Sequence, residues 1–315
     1  MSDKPGLLVV GELPDWDYAA LEQRFTLHHY WQATDKAALL AAGRDSIVAI
    51  CTKGEIGADA ALMDALPGTK IIACYGVGVD AIDLEAARAR GIRVTNTPDV
   101  LTEEVADMAM MLMLAAARNL RLGEAWVREG SWRAKGAMPL TTRVWGKRLG
   151  IVGLGRIGKA IATRAAAFGM SISYSGRSPQ PGLPYTHYAT PEALAPHVDV
   201  FCVSAAGGAA TRGLVDRAAI AALKPGVVFV NVSRGTVVDE AALLAALRDG
   251  RIGAAGLDVF LNEPAIDPEF LTFPNVVLQP HAASGTVETR KDMGRLMREN
   301  LEAQLDGRPL LTALV

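Results

Sequence analysis

The chain has 315 residues, of which 50% are hydrophobic and 21% are charged, enough for two domains that each bury a sizeable core. A formal net charge of −2 gives no electrostatic basis for binding nucleic acid or an anionic membrane surface. The longest apolar run, 105–117, is too short to span a bilayer, and the first residues do not resemble a signal peptide. We therefore expect a soluble cytoplasmic protein without nucleic-acid or membrane partners.

The three cysteines, Cys51, Cys74 and Cys202, are far apart in the sequence, and each lies in or beside an apolar, strand-like run. This spacing is typical neither of a disulfide framework nor of a zinc site. We predict that all three are buried free thiols and that the protein binds no metal.

Short apolar runs alternate with amphipathic runs in the first third of the chain. The apolar runs predict strands at 7–10, 27–30, 47–50, 71–74 and 92–95, and the amphipathic runs predict helices at 17–25, 36–42, 59–66 and 83–90. Strands that alternate with helices in this way are typical of a parallel sheet with helical crossover connections.

A long helix is predicted to begin near Thr102, where Thr102 and Glu103 supply a cap and an acidic first turn. Its pattern continues past Asn119 to about Glu129, and the segment 130–145 that follows is irregular. The alternation then resumes, with strands predicted at 149–152, 171–175, 198–203, 227–232, 254–259 and 276–278, and helices at 157–168, 191–195, 216–223, 239–248 and 287–305. Both halves of the chain are therefore of the α/β class.

A glycine-rich turn, Gly153-Leu154-Gly155-Arg156-Ile157-Gly158, lies between a predicted strand and a predicted helix. In such a unit the first glycine allows a tight turn, the second lets the backbone approach a pyrophosphate, and the third lets the helix pack on the strand. The start of the helix offers free N–H groups and the positive end of its dipole to the phosphates. We predict a dinucleotide-binding unit.

The end of the next strand indicates which dinucleotide is bound. NAD-binding units place a carboxylate there, where it accepts hydrogen bonds from the ribose. This chain has Ser175, Arg177 and Ser178 instead, whose hydroxyl groups and guanidinium suit a 2′-phosphate. We predict NADP as the preferred cofactor and NAD as a second one; the alternative is that Arg177 is only a solvated loop residue.

Three polar residues, Arg234, Glu263 and His281, each lie just beyond the end of a predicted strand, where open α/β sheets bind ligands. Taken singly, they could be a surface arginine, a loop carboxylate and a structural histidine. Together they meet the requirements for reducing a 2-keto acid. These are a cation for the carboxylate and keto oxygen, a proton donor active near neutral pH, and a carboxylate that fixes the imidazole tautomer.

These motifs resemble the NAD(P)-dependent D-2-hydroxyacid dehydrogenases, and within them the glyoxylate/hydroxypyruvate and hydroxyphenylpyruvate reductases. The resemblance covers nearly the whole chain and rests on segments 76–80, 153–158, 231–235, 256–264 and 280–281. It implies two doubly wound parallel-sheet domains: a Rossmann cofactor domain at 100–285, inserted in a flavodoxin-like substrate domain formed by 1–99 and 286–315. It also implies a homodimer that reduces small 2-keto acids to D-2-hydroxy acids with NADPH.

The resemblance also implies roles for individual residues in catalysis and substrate binding. Arg234 would bind the substrate carboxylate and the keto oxygen, and His281, paired with Glu263, would donate the proton during reduction. Backbone N–H groups around Val77, Gly78 and Val79 would hold the substrate carboxylate. Lys53, beyond another predicted strand, would either add positive charge for an anionic substrate or be merely solvated.

For the cofactor, the resemblance implies that Asp258 binds the nicotinamide carboxamide and that Leu154, Arg156 and Ile157 surround the pyrophosphate. The segment 136–140 lacks the tryptophan that narrows the pocket in some eukaryotic glyoxylate reductases, so we also expect larger substrates of the phenylpyruvate type. Two alternatives stay open. One is a non-catalytic dinucleotide-sensing scaffold of the corepressor type, and the other is a family dehydrogenase acting on phosphoglycerate or phosphite.

Overall fold

The computed structural model describes residues 4–315, which divide into two compact units. The first unit consists of the chain up to Leu101 together with Gly285–Val315, and the second is Thr102–Ser284. The domain boundaries predicted from the sequence are 99/100 and 285/286, and the division in the structure falls at 101/102 and 284/285. Within residues 4–315, no helix is long and apolar enough to cross a membrane.

Between residues 4 and 101, the first unit contains a five-stranded sheet and four helices. Its strands are β1 (Gly6–Val9), β2 (Thr26–His29), β3 (Ile47–Thr52), β4 (Ile71–Cys74) and β5 (Arg93–Thr95), and its helices are α1 (Asp15–Leu21), α2 (Lys36–Gly43), α3 (Ala60–Ala65) and α4 (Leu84–Ala89). The strand order is β2-β1-β3-β4-β5, and all pairs are parallel. Asp35, Asp59 and Asp83 cap α2, α3 and α4 by accepting an N–H bond at 2.8–2.9 Å, which fixes where these helices begin.

The second unit contains a seven-stranded sheet and seven helices. Its helices are α5 (Thr102–Ala117), α6 (Leu120–Arg128), α7 (Ser131–Lys135), α8 (Arg156–Ala167), α9 (Pro191–Leu194), α10 (Arg217–Ala221) and α11 (Glu240–Arg248). Its strands are β6 (Arg148–Val152), β7 (Ser171–Ser175), β8 (Thr186–Tyr188), β9 (Val200–Val203), β10 (Val227–Asn231), β11 (Ile252–Leu257) and β12 (Val276–Leu278). The last helix, α12 (Val287–Leu305), belongs to the first unit.

The seven strands are parallel and lie in the order β12-β11-β10-β9-β6-β7-β8. From β6 the chain proceeds outward to β8, and from β9 it proceeds outward in the opposite direction to β12. The strand order therefore reverses between β6 and β9, and ligands bind at such a switch point in open α/β sheets. Short 3-10 helices complete the two units at Tyr30–Gln32, Ala195–His197, Ala209–Thr211, Gly235–Val237 and Pro268–Thr272.

Each unit has its own apolar core, centred on its sheet. In the first unit Leu8, Ile50 and Ile72 are partners across β1, β3 and β4, and all three are fully buried. In the second unit Phe201 and Phe229 are partners on β9 and β10, and their rings stack with centroids 5.7 Å apart. Central parallel strands are covered on both faces, which explains why the sequence shows continuous apolar runs there rather than alternation.

The structure confirms the predicted α/β class and the two parallel sheets, and it places all three cysteines as buried free thiols. The single long helix predicted from Thr102 is wrong, because α5 and α6 are separate helices. Asn119 lies between them with φ of 46°, and a left-handed residue interrupts a right-handed helix. The irregular segment predicted at 130–145 contains α7, and the short strand β8 was not predicted.

Candidate active site

The carboxyl ends of all seven strands in the second unit lie at one edge of the sheet, because the strands are parallel. β6 leads into the glycine-rich turn and β7 into Ser175 and the residues that follow it. β10, β11 and β12 lead into Arg234, Glu263 and His281. Since these three strands are neighbours, the fold brings the three polar residues to one part of the edge, on the far side of the switch point from β7.

The glycine-rich turn after β6 has a steric reason for two of its three glycines. Gly153 has φ of 91°, and a Cβ there would lie 2.5 Å from the Cα of Ala205. A Cβ on Gly158 would collide with the carbonyl oxygen of Gly153, so α8 packs directly on the turn. A Cβ on Gly155 would meet no atom within 4 Å, so this residue borders open space at the start of α8. Open space beside the N–H groups at the start of a helix fits a pyrophosphate.

The residues after β7 fit the phosphate of NADP. The hydroxyl oxygen of Ser175 is buried, and it forms no hydrogen bond within the described part of the chain. Arg177 and Ser178 are exposed just beyond the end of the strand. The segment 175–178 contains no carboxylate that would repel a 2′-phosphate.

Sequence reasoning missed Gln180, which links the loop after β7 to the glycine-rich turn. Its Nε2 donates to the carbonyl oxygen of Leu154 at 2.8 Å, and its backbone N–H donates to the hydroxyl of Tyr174 at 2.7 Å. These two bonds hold the proposed phosphate-binding loop against the turn that would bind the pyrophosphate. The only signal in the sequence is that Gln180 lies two positions after Ser178.

Arg234 follows β10 in a turn that is held by Asn231. The side-chain amide of Asn231 donates to the carbonyl oxygen of Arg234 at 3.2 Å, and its Oδ1 accepts from the N–H of Ser233 at 3.0 Å. The guanidinium of Arg234 donates to the carbonyl oxygen of Ser233 at 2.7 Å. The turn therefore fixes the backbone that carries the guanidinium.

The turn after β10 lies directly against the loop after β11. A Cβ on Gly235 would collide with the carbonyl group of Phe260, so only glycine allows this approach. The N–H of Phe260 donates to Oε1 of Glu263 at 2.7 Å. The same backbone that contacts the arginine turn thus orients the carboxylate of the predicted catalytic pair.

His281 and Glu263 form the hydrogen-bonded pair that the sequence predicted. Nδ1 of His281 donates to Oε2 of Glu263 at 2.6 Å, and the two side chains are 32% and 28% exposed. Because Nδ1 is engaged, Nε2 is the ring nitrogen left to exchange a proton with a ligand. An imidazole held by a carboxylate in this way can act as a general acid or base.

The electrostatic surroundings keep Glu263 ionised. Burial raises the pKa of its carboxyl group. The hydrogen bonds from His281 and from the N–H of Phe260, with the charges of His281 and Arg234, outweigh burial and bring the pKa below its ordinary value. An ionised carboxylate next to the ring stabilises the protonated imidazole, which is the form required of a proton donor.

Asp258 holds the loop that carries His281. Its side chain is fully buried, and its carboxylate accepts the N–H groups of Ala282 at 2.7 Å and Ala283 at 3.0 Å. Its carbonyl oxygen accepts the N–H of His281 at 2.8 Å. These bonds keep His281 in the left-handed region, with φ of 52°. Burial raises the pKa of Asp258, although the two N–H bonds act in the opposite direction.

In the first unit, the predicted substrate-binding residues follow β3 and β4. Lys53 comes directly after β3, and Val77, Gly78 and Val79 lie in the loop after β4. A Cβ on Gly54 would collide with the carbonyl oxygen of Gly78, so the two loops are in contact. In the described chain, the N–H groups of residues 77–79 donate to no protein acceptor. Successive N–H groups of this kind can bind an anion.

Comparison with known proteins identifies the family. The sequence model of the "D-isomer specific 2-hydroxyacid dehydrogenase, NAD binding domain" matches residues 110–283. A hydroxyphenylpyruvate reductase from Plectranthus scutellarioides is 44% identical over 310 residues, which cover 98% of this chain and 99% of that protein. The chain belongs to the D-isomer specific 2-hydroxyacid dehydrogenase family. The resemblance inferred from the sequence motifs is therefore confirmed.

Solved structures show the same fold as this dehydrogenase. A 2-hydroxyacid dehydrogenase from Ketogulonicigenium vulgare Y25 is 51% identical with a TM-score of 0.94, and the match covers 99% of each chain. An NADPH-dependent glyoxylate/hydroxypyruvate reductase from Sinorhizobium meliloti, in complex with NADP and malonate, is 44% identical with a TM-score of 0.93. That match covers 99% of this chain and 97% of the other.

Proposed function

We propose that this dehydrogenase reduces 2-keto acids to D-2-hydroxy acids, with NADPH preferred over NADH. The substrates proposed are glyoxylate, hydroxypyruvate and larger keto acids of the phenylpyruvate type. The observation that carries the proposal is the His281–Glu263 pair, which follows two strands next to the strand that leads to Arg234. Relatives named as hydroxyphenylpyruvate and glyoxylate/hydroxypyruvate reductases support it.

The catalytic roles follow from the donor groups of the three residues. Bound NADPH supplies the hydride that reduces the keto carbon. Arg234 binds the carboxylate and the keto oxygen, so that its charge stabilises the negative charge developing on that oxygen. His281 donates a proton from Nε2 to the same oxygen, and Glu263 stabilises the protonated ring until then. In the oxidation direction His281 accepts that proton.

The second unit is the proposed cofactor domain. Ser175, Arg177 and Ser178 would bind the 2′-phosphate, and the start of α8 would bind the pyrophosphate with Leu154, Arg156 and Ile157 around it. Asp258 would contact the nicotinamide carboxamide in addition to holding the His281 loop. The buried, unpaired hydroxyl of Ser175 and the open space at Gly155 support this assignment.

The first unit is the proposed substrate domain. The N–H groups of Val77, Gly78 and Val79 would bind the substrate carboxylate. This assignment is supported by the finding that, in the described chain, these N–H groups donate to no protein acceptor. Lys53 would add positive charge beside this loop, with which its own loop is in contact through Gly54. The free thiols of Cys51, Cys74 and Cys202 fit the reducing conditions of the cytoplasm, which is the proposed location.

We also propose that the enzyme is a homodimer formed through the second unit. Large apolar side chains are exposed in and after α7: Trp132 is 63% exposed, Trp145 is 61% exposed and Leu140 is fully exposed. Large apolar side chains left exposed in one segment are typical of interaction surfaces when they form a patch, which is what we propose here. Leu140→Asp should shift the light-scattering mass towards the monomer, whereas Leu271→Asp, at an exposed position in a 3-10 helix of the same unit, should not.

The deciding experiment is a spectrophotometric panel with NADPH and with NADH. Glyoxylate, hydroxypyruvate, pyruvate, phenylpyruvate, hydroxyphenylpyruvate and 2-ketogluconate are tested in the reduction direction. Phosphoglycerate and phosphite are tested in the oxidation direction, with NADP+ and NAD+ as the hydride acceptors. We expect oxidation of NADPH that depends on the keto acid and that is lost in Arg234→Ala and His281→Ala. Binding of NADPH without turnover of any compound would instead favour a dinucleotide-sensing scaffold.

A further inference from the structure

A buried asparagine in α12 fixes the C-terminal segment of the chain. Asn300 is fully buried, and both of its side-chain N–H groups and both acceptor positions of its oxygen are used. Nδ2 donates to the carbonyl oxygen of Leu296 at 2.9 Å and to Oγ1 of Thr312 at 3.0 Å. Oδ1 accepts the N–H groups of Leu311 at 2.9 Å and Thr312 at 3.2 Å. A fully satisfied buried amide specifies one arrangement of its partners.

The segment fixed by Asn300 in turn contacts the edge strand β5. Oγ1 of Thr312 donates to the carbonyl oxygen of Asn96 at 2.6 Å, and Ala313 forms an antiparallel bridge with Thr95. The N–H of Leu314 donates to the carbonyl oxygen of Val94 at 2.7 Å. The last residues of the chain therefore extend the sheet beside β5 and hold the backbone of Asn96.

Asn96 holds the loop after β4. Its side chain is 7% exposed, and its Nδ2 donates to the carbonyl oxygen of Val77 at 2.8 Å. The next residue, Thr97, donates its N–H to the carbonyl oxygen of Gly76 at 2.9 Å. A continuous series of hydrogen bonds thus runs from Asn300 through Thr312 and Asn96 to the loop that the proposed function assigns to the substrate carboxylate.

These bonds also determine where the loop presents its donors. Across a trans peptide the C=O and the following N–H point in opposite directions. Because the carbonyl groups of Gly76 and Val77 are directed towards Thr97 and Asn96, the N–H groups of Val77 and Gly78 are directed away from them. The two donors are therefore oriented in advance on the opposite side of the loop backbone, where an anion can accept from both.

We propose that Asn96, Thr312 and Asn300 are positioning residues for substrate binding. They tie the C-terminal segment to the carboxylate-binding loop and keep its N–H groups oriented towards the carboxylate of the keto acid. This inference rests on the proposed function of the loop. It adds that residues at the end of the chain, which touch neither substrate nor cofactor, set the affinity for the keto acid.

The kinetic test uses Thr312→Val, which removes the hydroxyl while keeping the shape of the side chain. Loss of the two hydrogen bonds of this hydroxyl, one to Asn96 and one from Asn300, should raise the KM for the keto acid by about three- to tenfold. The KM for NADPH and kcat should stay within about twofold, because the cofactor domain is unchanged. Thr312→Ser keeps the hydroxyl and should behave as the wild type. If Thr312→Val does not fold, Thr312→Ala is used in its place.

The matched control is Thr26→Val. Thr26 lies on β2, at the opposite edge of the same sheet, and its hydroxyl donates to the carbonyl oxygen of Lys4 at 3.4 Å. The same chemical change there should leave both KM values as they are. An equal rise in both KM values for Thr312→Val, or no rise in the KM for the keto acid, would overturn the inference.

A second readout does not depend on activity. The backbone amide NMR signals of Val77 and Gly78 should shift in Thr312→Val and stay in place in Thr26→Val, because amide shifts respond to hydrogen bonds on the preceding carbonyl group. Unchanged signals would show that the C-terminal segment does not position the loop. The signals can also shift in Thr312→Val although the wild-type enzyme reduces no keto acid. In that case the loop is held as described, but the proposed function and the role of the loop in substrate binding both fail.

Discussion

Gly235 lies so close to Phe260 that a Cβ at position 235 would collide with the carbonyl group of Phe260. This contact joins the turn that carries Arg234 to the loop that carries Glu263. The distance between the proposed substrate-binding cation and the proposed acid–base pair is therefore set by backbone packing, and not only by the attraction between their charges.

Gly235→Ala should consequently damage catalysis more than it damages folding. The added methyl group must push the two loops apart, which should lower kcat/KM by about 100-fold or more and cost about 1–3 kcal/mol in the free energy of unfolding. Steady-state kinetics and thermal melting measure the two effects. Gly123→Ala is the control, because its Cβ would meet only the flexible side chain of Met138 at 3.3 Å. Full activity of Gly235→Ala would show that the two loops need no close contact.

Glu263→Gln should change the pH dependence of keto acid reduction as well as its rate. Reduction requires the proton on His281, and an ionised Glu263, whose pKa lies below its ordinary value, stabilises the protonated ring. Without an ionisable carboxyl group at this position, kcat/KM should be about 10- to 100-fold lower at neutral pH, and it should lack the decline that protonation of Glu263 causes in the wild type at low pH.

The control for Glu263→Gln is Glu240→Gln. Glu240 also binds the backbone of the loop after β11, because its Oε2 accepts the N–H of Leu261 at 2.9 Å. The carboxylate that bonds His281, however, is that of Glu263. The pH profiles of kcat/KM decide between the two carboxylates. The same profile for Glu263→Gln and the wild type would contradict an acid–base role for the pair.

Arg177→Ala should reverse or abolish the preference for NADPH. A guanidinium that pairs with a 2′-phosphate contributes about 2–3 kcal/mol, so kcat/KM with NADPH should fall about 30- to 150-fold. The value with NADH should stay within about twofold, because NADH lacks that phosphate. Arg217→Ala, at an exposed position at the start of α10, should affect neither cofactor. Equal losses with both cofactors would assign Arg177 a structural role instead.

The sequence alone predicts Arg234, Glu263 and His281, because a single rule about parallel sheets applies to all three. Each follows a strand, and all strand ends lie at one edge, so a polar residue at each end is brought to the site whatever the intervening loops do. The glycine-rich turn is predictable from its spacing between a strand and a helix. Of its two close contacts, that of Gly158 with Gly153 is local, whereas Gly153 approaches Ala205, which follows β9.

The positioning residues could not be predicted in this way. The bond between Thr312 and Asn96 joins residues 216 positions apart, and it depends on where the C-terminal segment passes the sheet. Nothing in the periodicity around Asn300 distinguishes a buried, fully bonded amide from an exposed one. The break at Asn119 is similar, because one left-handed residue leaves the apolar pattern on both sides unchanged.

Asp17→Asn should stabilise the enzyme at neutral pH. Asp17 lies in α1 with its carboxylate against Gly294 of α12, and it is only 3% exposed. Its Oδ2 has no hydrogen-bond partner within the described residues. Burial raises the pKa of the carboxyl group from 3.8 to about 6, although the charge of Arg298 lowers it in part. The folded state therefore binds this proton more tightly than the unfolded state.

The sign of the pH effect follows from that difference. The stability that the protonated form confers is complete below about pH 4 and is lost as the pH rises to about 6. At neutral pH this loss lowers the free energy of unfolding of the wild type by about 1–3 kcal/mol. The amide introduced by Asp17→Asn carries no charge, so the variant should have the higher melting temperature at pH 7, and the difference should disappear near pH 4. Asp15→Asn, at an exposed position in the same helical turn, should show neither effect. A variant that melts below the wild type at pH 7 would mean that Asp17 is charged and favourably paired in the folded protein.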